Sequence, residues 1–170
     1  MKYEIVRLPE KTVSGLAVRT NNFSPDMGQA IGEVWKRFYE ERVYQEIPNK
    51  KTGAALGIYT DYASDERGDY TFLAACEVTS LDGSDSLLEH RVIPAGSYAR
   101  FTVTGNVLTA VADCWKEIWK LKLPRSFAAD FEEYTDSDME NAVVNIYIGL
   151  KEECLETMGK GCDSDGKAGL

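Results

Sequence analysis

Phe131-Glu132-Glu133-Tyr134 is the stretch of this chain whose side chains are best placed to do chemistry. In an extended strand alternate side chains share a face, so Glu132 and Tyr134 point one way while Phe131 and Glu133 point the other. A carboxylate beside a phenol suits an organic cation. Opposite charges attract more strongly at reduced dielectric, and the ring adds cation–π contact. Buried with no partner, the carboxylate would be costly; with nothing bound it must be protonated, hydrated or hydrogen-bonded to a tyrosine. On these residues alone the plainer reading, a surface glutamate on an edge strand, is the favoured one.

Other chemistries find little to build on. His90 is the sole histidine, which rules out a cluster of imidazoles. Cys76, Cys114, Cys154 and Cys162 form no Cys-x-x-Cys pair and read as reduced thiols, with Cys76 and Cys114 buried. Asp163-Ser164-Asp165-Gly166 is similar to the start of a calcium loop, but the bidentate glutamate is missing and the chain ends too soon after it. There is no Walker-type phosphate loop and no dinucleotide fingerprint. No metal and no cofactor are expected. A net charge of −9 argues against a nucleic-acid surface, which needs clustered Lys and Arg. At 170 residues, with 44% hydrophobic and 28% charged residues, the chain reads as one globular domain. Met1-Lys2-Tyr3-Glu4 runs straight into a strand pattern without a signal peptide, and no apolar run reaches the about 20 residues of a membrane helix. A cytoplasmic location and no membrane contact are the expectation.

The elements that must position Glu132 occur twice. Pro9 in Leu8-Pro9-Glu10 is answered by Pro94 in Ile93-Pro94-Ala95, Val34-Trp35-Lys36 by Cys114-Trp115-Lys116, and Tyr59-Thr60-Asp61 by Tyr134-Thr135-Asp136. In the first copy, residues 3–8 and 12–20 read as strands joined at Pro9. Ser24 and Pro25 open a helix carrying Met27, Ile31, Val34, Trp35 and Phe38 on one face, and strands 55–60 and 70–79 follow. In the second copy, strands 89–93 and 97–104 precede a helix over about 106–121, and strands 130–135 and 142–150 complete the unit. Each copy is β-β-α-β-β, with the first spanning residues 1–80 and the second 87–150. Together they predict an antiparallel α+β fold with two long helices on one side and a natural ligand site at the seam between the copies. Residues 151–170 are polar and Gly-rich and read as a flexible tail.

Over residues 1–150 the chain resembles the GyrI-like small-molecule-binding domain, the effector-binding domain of AraC-type and MerR-type multidrug regulators. The resemblance rests on Val92-Ile93-Pro94-Ala95-Gly96-Ser97-Tyr98-Ala99, on Trp115-Lys116-Glu117-Ile118-Trp119, and on Asp130-Phe131-Glu132-Glu133-Tyr134 followed by Val144-Asn145-Ile146-Tyr147-Ile148. It implies a pseudo-twofold fold whose copies meet around a central cleft that takes bulky, aromatic, often cationic compounds. It also implies that one buried glutamate faces the ligand, and at that position this sequence has Glu132, with Tyr134 on the same face. Tyr59, Tyr62, Tyr98 and Tyr147 are candidates for the cleft walls, because tyrosine joins a flat apolar ring to a polar tip. Trp35 and Trp115 read as core residues of their helix stripes, and Trp119, one turn further on, as a residue that could reach the cleft.

In the regulators this domain is attached to a DNA-binding unit; here no basic recognition helix is found, so direct DNA binding is not expected. The favoured reading is a stand-alone, monomeric module that binds a hydrophobic, often cationic small molecule. The resemblance leaves two alternatives open. One is a hydrolase of reactive electrophilic natural products with Glu132 as general base. The other is a protein-interaction protein of the gyrase-inhibitor kind, with DNA gyrase as partner.

Overall fold

The computed structural model describes residues 1–160. Eight strands follow one another as β1 (Glu4–Leu8), β2 (Lys11–Asn21), β3 (Ala55–Thr60), β4 (Asp69–Glu77), β5 (Glu89–Ile93), β6 (Gly96–Gly105), β7 (Arg125–Tyr134) and β8 (Ala142–Leu150). Helix α1 (Met27–Glu40) and the short α2 (Val43–Glu46) lie between β2 and β3, α3 (Val107–Lys120) between β6 and β7, and α4 (Glu152–Lys160) after β8. All strand pairs are antiparallel and form a single α+β sheet in the order β1-β6-β8-β7-β3-β4-β2-β5. When β1 is exchanged for β5, β2 for β6, β3 for β7 and β4 for β8, that order reads the same backwards. The expected β-β-α-β-β unit occurs in both halves, and the halves meet where β3 pairs with β7.

The Pro9 turn does not close a hairpin. β1 pairs with β6 and β2 pairs with β5, so the first strand of each half is lent to the other half. This exchange dictates the shape of the sheet. β1 is first in the order and β2 seventh, which in a flat sheet would set them about 29 Å apart at the usual strand spacing. Only Pro9 and Glu10 join them, and three Cα steps reach at most about 11 Å. The sheet must therefore curl until its ends approach one another, and the Pro94-Ala95 link between β5 and β6 imposes the same closure.

Both long helices cover one face. On α1, Val34 and Phe38 are buried against Leu16, Ala55, Tyr70, Phe72, Ala74 and Cys76. On α3, Val111, Cys114, Trp115 and Ile118 pack on Ala99, Phe101, Val144, Ile146 and Ile148. The other face carries no long helix and is buried by the curl itself, with Leu56, Ile58, Leu73, Phe131, Tyr98 and Tyr147 meeting Val13 and Ile93. Tyr59 and Tyr134 touch both helical clusters, which marks β3 and β7 as the floor of the groove between α1 and α3.

Several element boundaries differ from the sequence reading. α1 begins after Asp26, and the Ser24 hydroxyl accepts from the Asp26 amide in a local turn without capping the helix. β7 begins at Arg125, five residues before its predicted start, with an irregularity in its pairing before Asp130. The expectation of a flexible tail from residue 151 is corrected by α4. Glu152 in its first turn accepts from the Ser97 amide at 2.8 Å, the Ser97 hydroxyl at 3.0 Å and the Arg7 guanidinium at 3.0 Å, clipping α4 to β6 and β1. Cys162, the calcium-loop-like segment and the rest of the predicted tail lie outside the described residues. No helix among the described residues is long and apolar enough to cross a membrane.

Candidate functional site

β7 lies in the middle of the sheet, paired with β3 of the first half and with β8 of its own. Glu132 faces Gly57 across one ladder and Ile146 across the other, so its side chain rises into the groove between the two long helices. Only 3% of the residue is exposed. Its carboxylate accepts three hydrogen bonds, from the Trp115 indole Nε1 at 2.7 Å, the Tyr134 hydroxyl at 2.6 Å and the Tyr59 hydroxyl at 3.0 Å. All three donors are neutral. Burial pushes the Glu132 pKa up, and the bonds from Tyr134, Trp115 and Tyr59 only partly oppose it. In turn, burial and the neighbouring carboxylate raise the Tyr59 and Tyr134 phenols, which stay protonated and available as donors.

The groove is walled by aromatic rings. Trp35 of α1 meets Tyr134 edge-on at 5.4 Å and Phe72 at 5.9 Å; Trp115 of α3 meets Tyr59 at 5.0 Å; Tyr59 in turn touches Phe72 at 5.2 Å and Tyr70 at 5.5 Å. Gly57 provides the depth. A Cβ there would lie 2.8 Å from Glu132 Oε2 and 3.0 Å from Trp35 Cζ2. The rings fill the groove, and Tyr59, Tyr134 and Trp35 are half-buried.

A second carboxylate sits two residues away on the same face of β7. Asp130 is fully buried and accepts from Arg125 Nη2 at 2.7 Å, the Tyr62 hydroxyl at 2.7 Å and the Gly149 amide at 2.9 Å. The Arg125 side chain is 9% exposed and lies over the Phe127 ring at 4.4 Å. Here the charge is balanced inside the protein.

This combination, an aromatic groove on a curled eight-stranded sheet with a buried glutamate at its floor, can be set against known proteins. The model of the Cass2 family, integron-associated effector binding proteins, matches residues 4–150. The chain belongs to this family. Cass2 proteins are small-molecule-binding proteins of the GyrI-like fold. Among the relatives is YobU of Bacillus subtilis strain 168, a proposed transcriptional regulator, 30% identical over 159 residues that cover 86% of this chain and 96% of YobU. The integron cassette protein VCH_CASS2 from the mobile metagenome of Vibrio cholerae superposes with a TM-score of 0.72 at 26% identity, over 88% of this chain and 95% of that one. SAV2435, solved with tetraphenylphosphonium bound, has the same fold with a TM-score of 0.75 at 21% identity, over 90% of this chain and 96% of that one.

In this Cass2 protein the residues singled out from sequence part into three groups. Glu132, Tyr134 and Tyr59 come together as one hydrogen-bonded unit. Tyr62 lies beside it but serves Asp130. Tyr98, Tyr147 and Trp119 are not brought to this groove. Tyr98 and Tyr147 sit on the opposite sheet face against Phe131, Tyr147 stacked at 4.6 Å and Tyr98 edge-on at 5.8 Å with its hydroxyl on the Pro94 carbonyl. Trp119, in the last turn of α3, is 48% exposed. Trp115 and Trp35, read as core, do pack in the two helical clusters and also line the groove, and Trp115 is a direct partner of Glu132. A buried indole N–H needs an acceptor, and that need was the available signal for Trp115.

Proposed function

We propose that this protein captures a hydrophobic organic cation between α1 and α3, with the Glu132 carboxylate as counter-charge and Trp35, Tyr59, Phe72, Trp115 and Tyr134 as the ring walls. One observation carries this reading. Glu132 is a buried carboxylate held by three neutral donors and no cationic side chain, whereas Asp130, on the same strand face, has an arginine at 2.7 Å. A buried carboxylate without a counter-ion is stabilised most by a positive charge supplied from outside. Aromatic faces around it favour a diffuse, weakly hydrated cation over a compact ammonium ion. The tetraphenylphosphonium complex of SAV2435, a structural relative, is consistent with such a ligand.

The filled groove determines how binding proceeds. The half-buried phenols of Tyr59 and Tyr134 must swing or shift to admit an aryl group, and the cation then replaces them as the neighbour of the carboxylate. Titration calorimetry with tetraphenylphosphonium and with a neutral triaryl analogue tests the reading. The wild type should bind the cation and not the analogue, and Glu132→Gln should lose about ten- to hundred-fold in affinity for the cation. Equal binding of the cation by Glu132→Gln and wild type would remove the charge-recognition role of Glu132.

A further inference from the structure

Four tyrosines, Tyr59, Tyr62, Tyr70 and Tyr134, and the Trp115 indole lie around the two β7 carboxylates, and four of these five are committed. Tyr59, Tyr134 and Trp115 give their protons to Glu132, and Tyr62 gives its proton to Asp130. The fifth, Tyr70 of β4, does not. The residue is 1% exposed, and its hydroxyl has no hydrogen-bond partner among the described residues. Its ring touches Tyr59 at 5.5 Å and Tyr62 at 5.8 Å, which places it in the groove wall between the Glu132 unit and the Asp130 unit.

We propose that Tyr70 is a specificity residue that donates its hydrogen bond to an oxygen acceptor on the ligand, so that the preferred ligand is a lipophilic cation bearing a carbonyl, ether or hydroxyl oxygen. The proposal rests on the reading of the Glu132 groove as the ligand site. An uncommitted buried hydroxyl costs free energy that an apolar phenylalanine ring would not, and a partner brought in with the ligand recovers it. In the ligand-free groove the phenols of Tyr59, Tyr62 and Tyr134 are already engaged, so Tyr70 is the phenol with a proton free to give, and an oxygen acceptor on the ligand is the partner that takes it. Burial and the charge of Glu132 push the Tyr70 phenol up to about 12, so it remains a donor throughout the working pH range.

Two recognition elements then divide the ligand between them. Glu132 reads the positive centre, and Tyr70, whose ring touches Tyr59 and Tyr62, reads an oxygen on one arm. A purely hydrocarbon cation satisfies the first element and leaves the second unmet.

The experiment compares tetraphenylphosphonium with its three mono-acetyl analogues, carrying the acetyl group ortho, meta or para on one ring. Each is titrated calorimetrically into the full chain as wild type, Tyr70→Phe and Glu132→Gln. Tyr70→Phe should bind tetraphenylphosphonium as the wild type does and lose about five-fold for at least one acetyl isomer, the worth of one neutral hydrogen bond. Its ligand-free melting temperature should be equal to or above that of the wild type, since only an unpaired hydroxyl is removed. If Tyr70→Phe binds all three isomers as tightly as wild type, the role of Tyr70 is overturned. Loss of cation binding in Glu132→Gln would then leave the Glu132 reading standing. A lower melting temperature for Tyr70→Phe would reveal a protein partner for the hydroxyl and would also overturn the proposal. Failure of the wild type to bind any of the four cations would overturn the groove reading and this one with it.

Discussion

Asp130 and Glu132 are separated by one residue on β7, share a sheet face and are both buried, yet they are solved differently. Asp130 has a guanidinium, a phenol and a backbone amide; Glu132 has two phenols and an indole. The first set neutralises the charge and the second only solvates it. The difference separates a carboxylate neutralised within the fold from one that, in the proposed function, is balanced by a bound cation. Location explains why both occur so close together. Asp130 lies beside the irregular start of β7, where Arg125 can reach back to it, while Glu132 lies opposite Gly57 at the deepest point of the groove.

The sharpest way to break this contrast is a pair of matched neutralisations, Asp130→Asn and Glu132→Gln, each preserving shape. Asp130→Asn leaves the Arg125 charge buried and unpaired, a loss of about 3–5 kcal/mol. For a chain of this size that lowers the melting temperature by roughly 6–20 °C. Glu132→Gln retires an uncompensated charge and can keep its three contacts, because the amide oxygen accepts from Trp115 and Tyr59 while the amide nitrogen donates to the Tyr134 oxygen. Its stability should stay within about 1 kcal/mol of wild type, or rise. Thermal unfolding of the two variants side by side settles the matter, and similar losses in both would erase the distinction between structural and ligand-facing carboxylates.

Each carboxylate also has its glycine, and these sharpen the comparison at a smaller scale. A Cβ on Gly149, whose amide serves Asp130, would lie 2.8 Å from the Ala129 carbonyl oxygen, a backbone atom that cannot step aside. A Cβ on Gly57 would instead meet side chains, Glu132 Oε2 at 2.8 Å and Trp35 Cζ2 at 3.0 Å. Gly57→Ala should therefore cost about 1–2 kcal/mol in stability, less than Gly149→Ala, while reducing tetraphenylphosphonium affinity by raising the groove floor. Denaturant melts rank the two variants, and calorimetry shows whether Gly57→Ala alone carries a binding defect at intact fold.

Much of this arrangement was legible in the sequence, and the limits have definite causes. The duplication pointed to the seam where β3 meets β7, and strand alternation put Glu132 and Tyr134 on one face. Alternation alone could not decide Tyr147. Its parity relative to Glu132 depends on the Glu132–Ile146 register between β7 and β8, and that register sends Tyr147 to the helix-free face. Tyr98 lies on that face too, and the sequence left this open for the same reason, since the pairing of β6 with β1 and β8 is fixed only when the sheet curls and the halves exchange their first strands. Asp130 lay in plain view two residues before Glu132, but its partner Arg125 belonged to a stretch assigned to no element, because the irregular pairing there breaks the strand pattern. Trp115 was hidden by its own stripe: a tryptophan that packs and one that packs and donates are identical in helical spacing.

The smallest effect is carried by a single proton. Burial raises the Glu132 pKa above its ordinary value, so the folded protein takes up this proton more readily than the unfolded chain does. For the ligand-free protein the contribution of Glu132 to stability is therefore fully present below the unfolded pKa and lost as pH rises through the folded one. Glu152 has the opposite sign: its bonds to Ser97 and Arg7 hold its pKa down, and its contribution is lost as pH falls. The difference in melting temperature between wild type and Glu132→Gln removes the Glu152 background, which both share. That difference should move in favour of wild type on acidification through the raised Glu132 pKa. Cation affinity should move the other way, because only the ionised carboxylate attracts the ligand, and protonation competes with it directly. A tetraphenylphosphonium affinity that stays flat as Glu132 takes up its proton would mean that the aromatic walls do the binding alone. The contrast with Asp130 would then concern the fold and not the ligand.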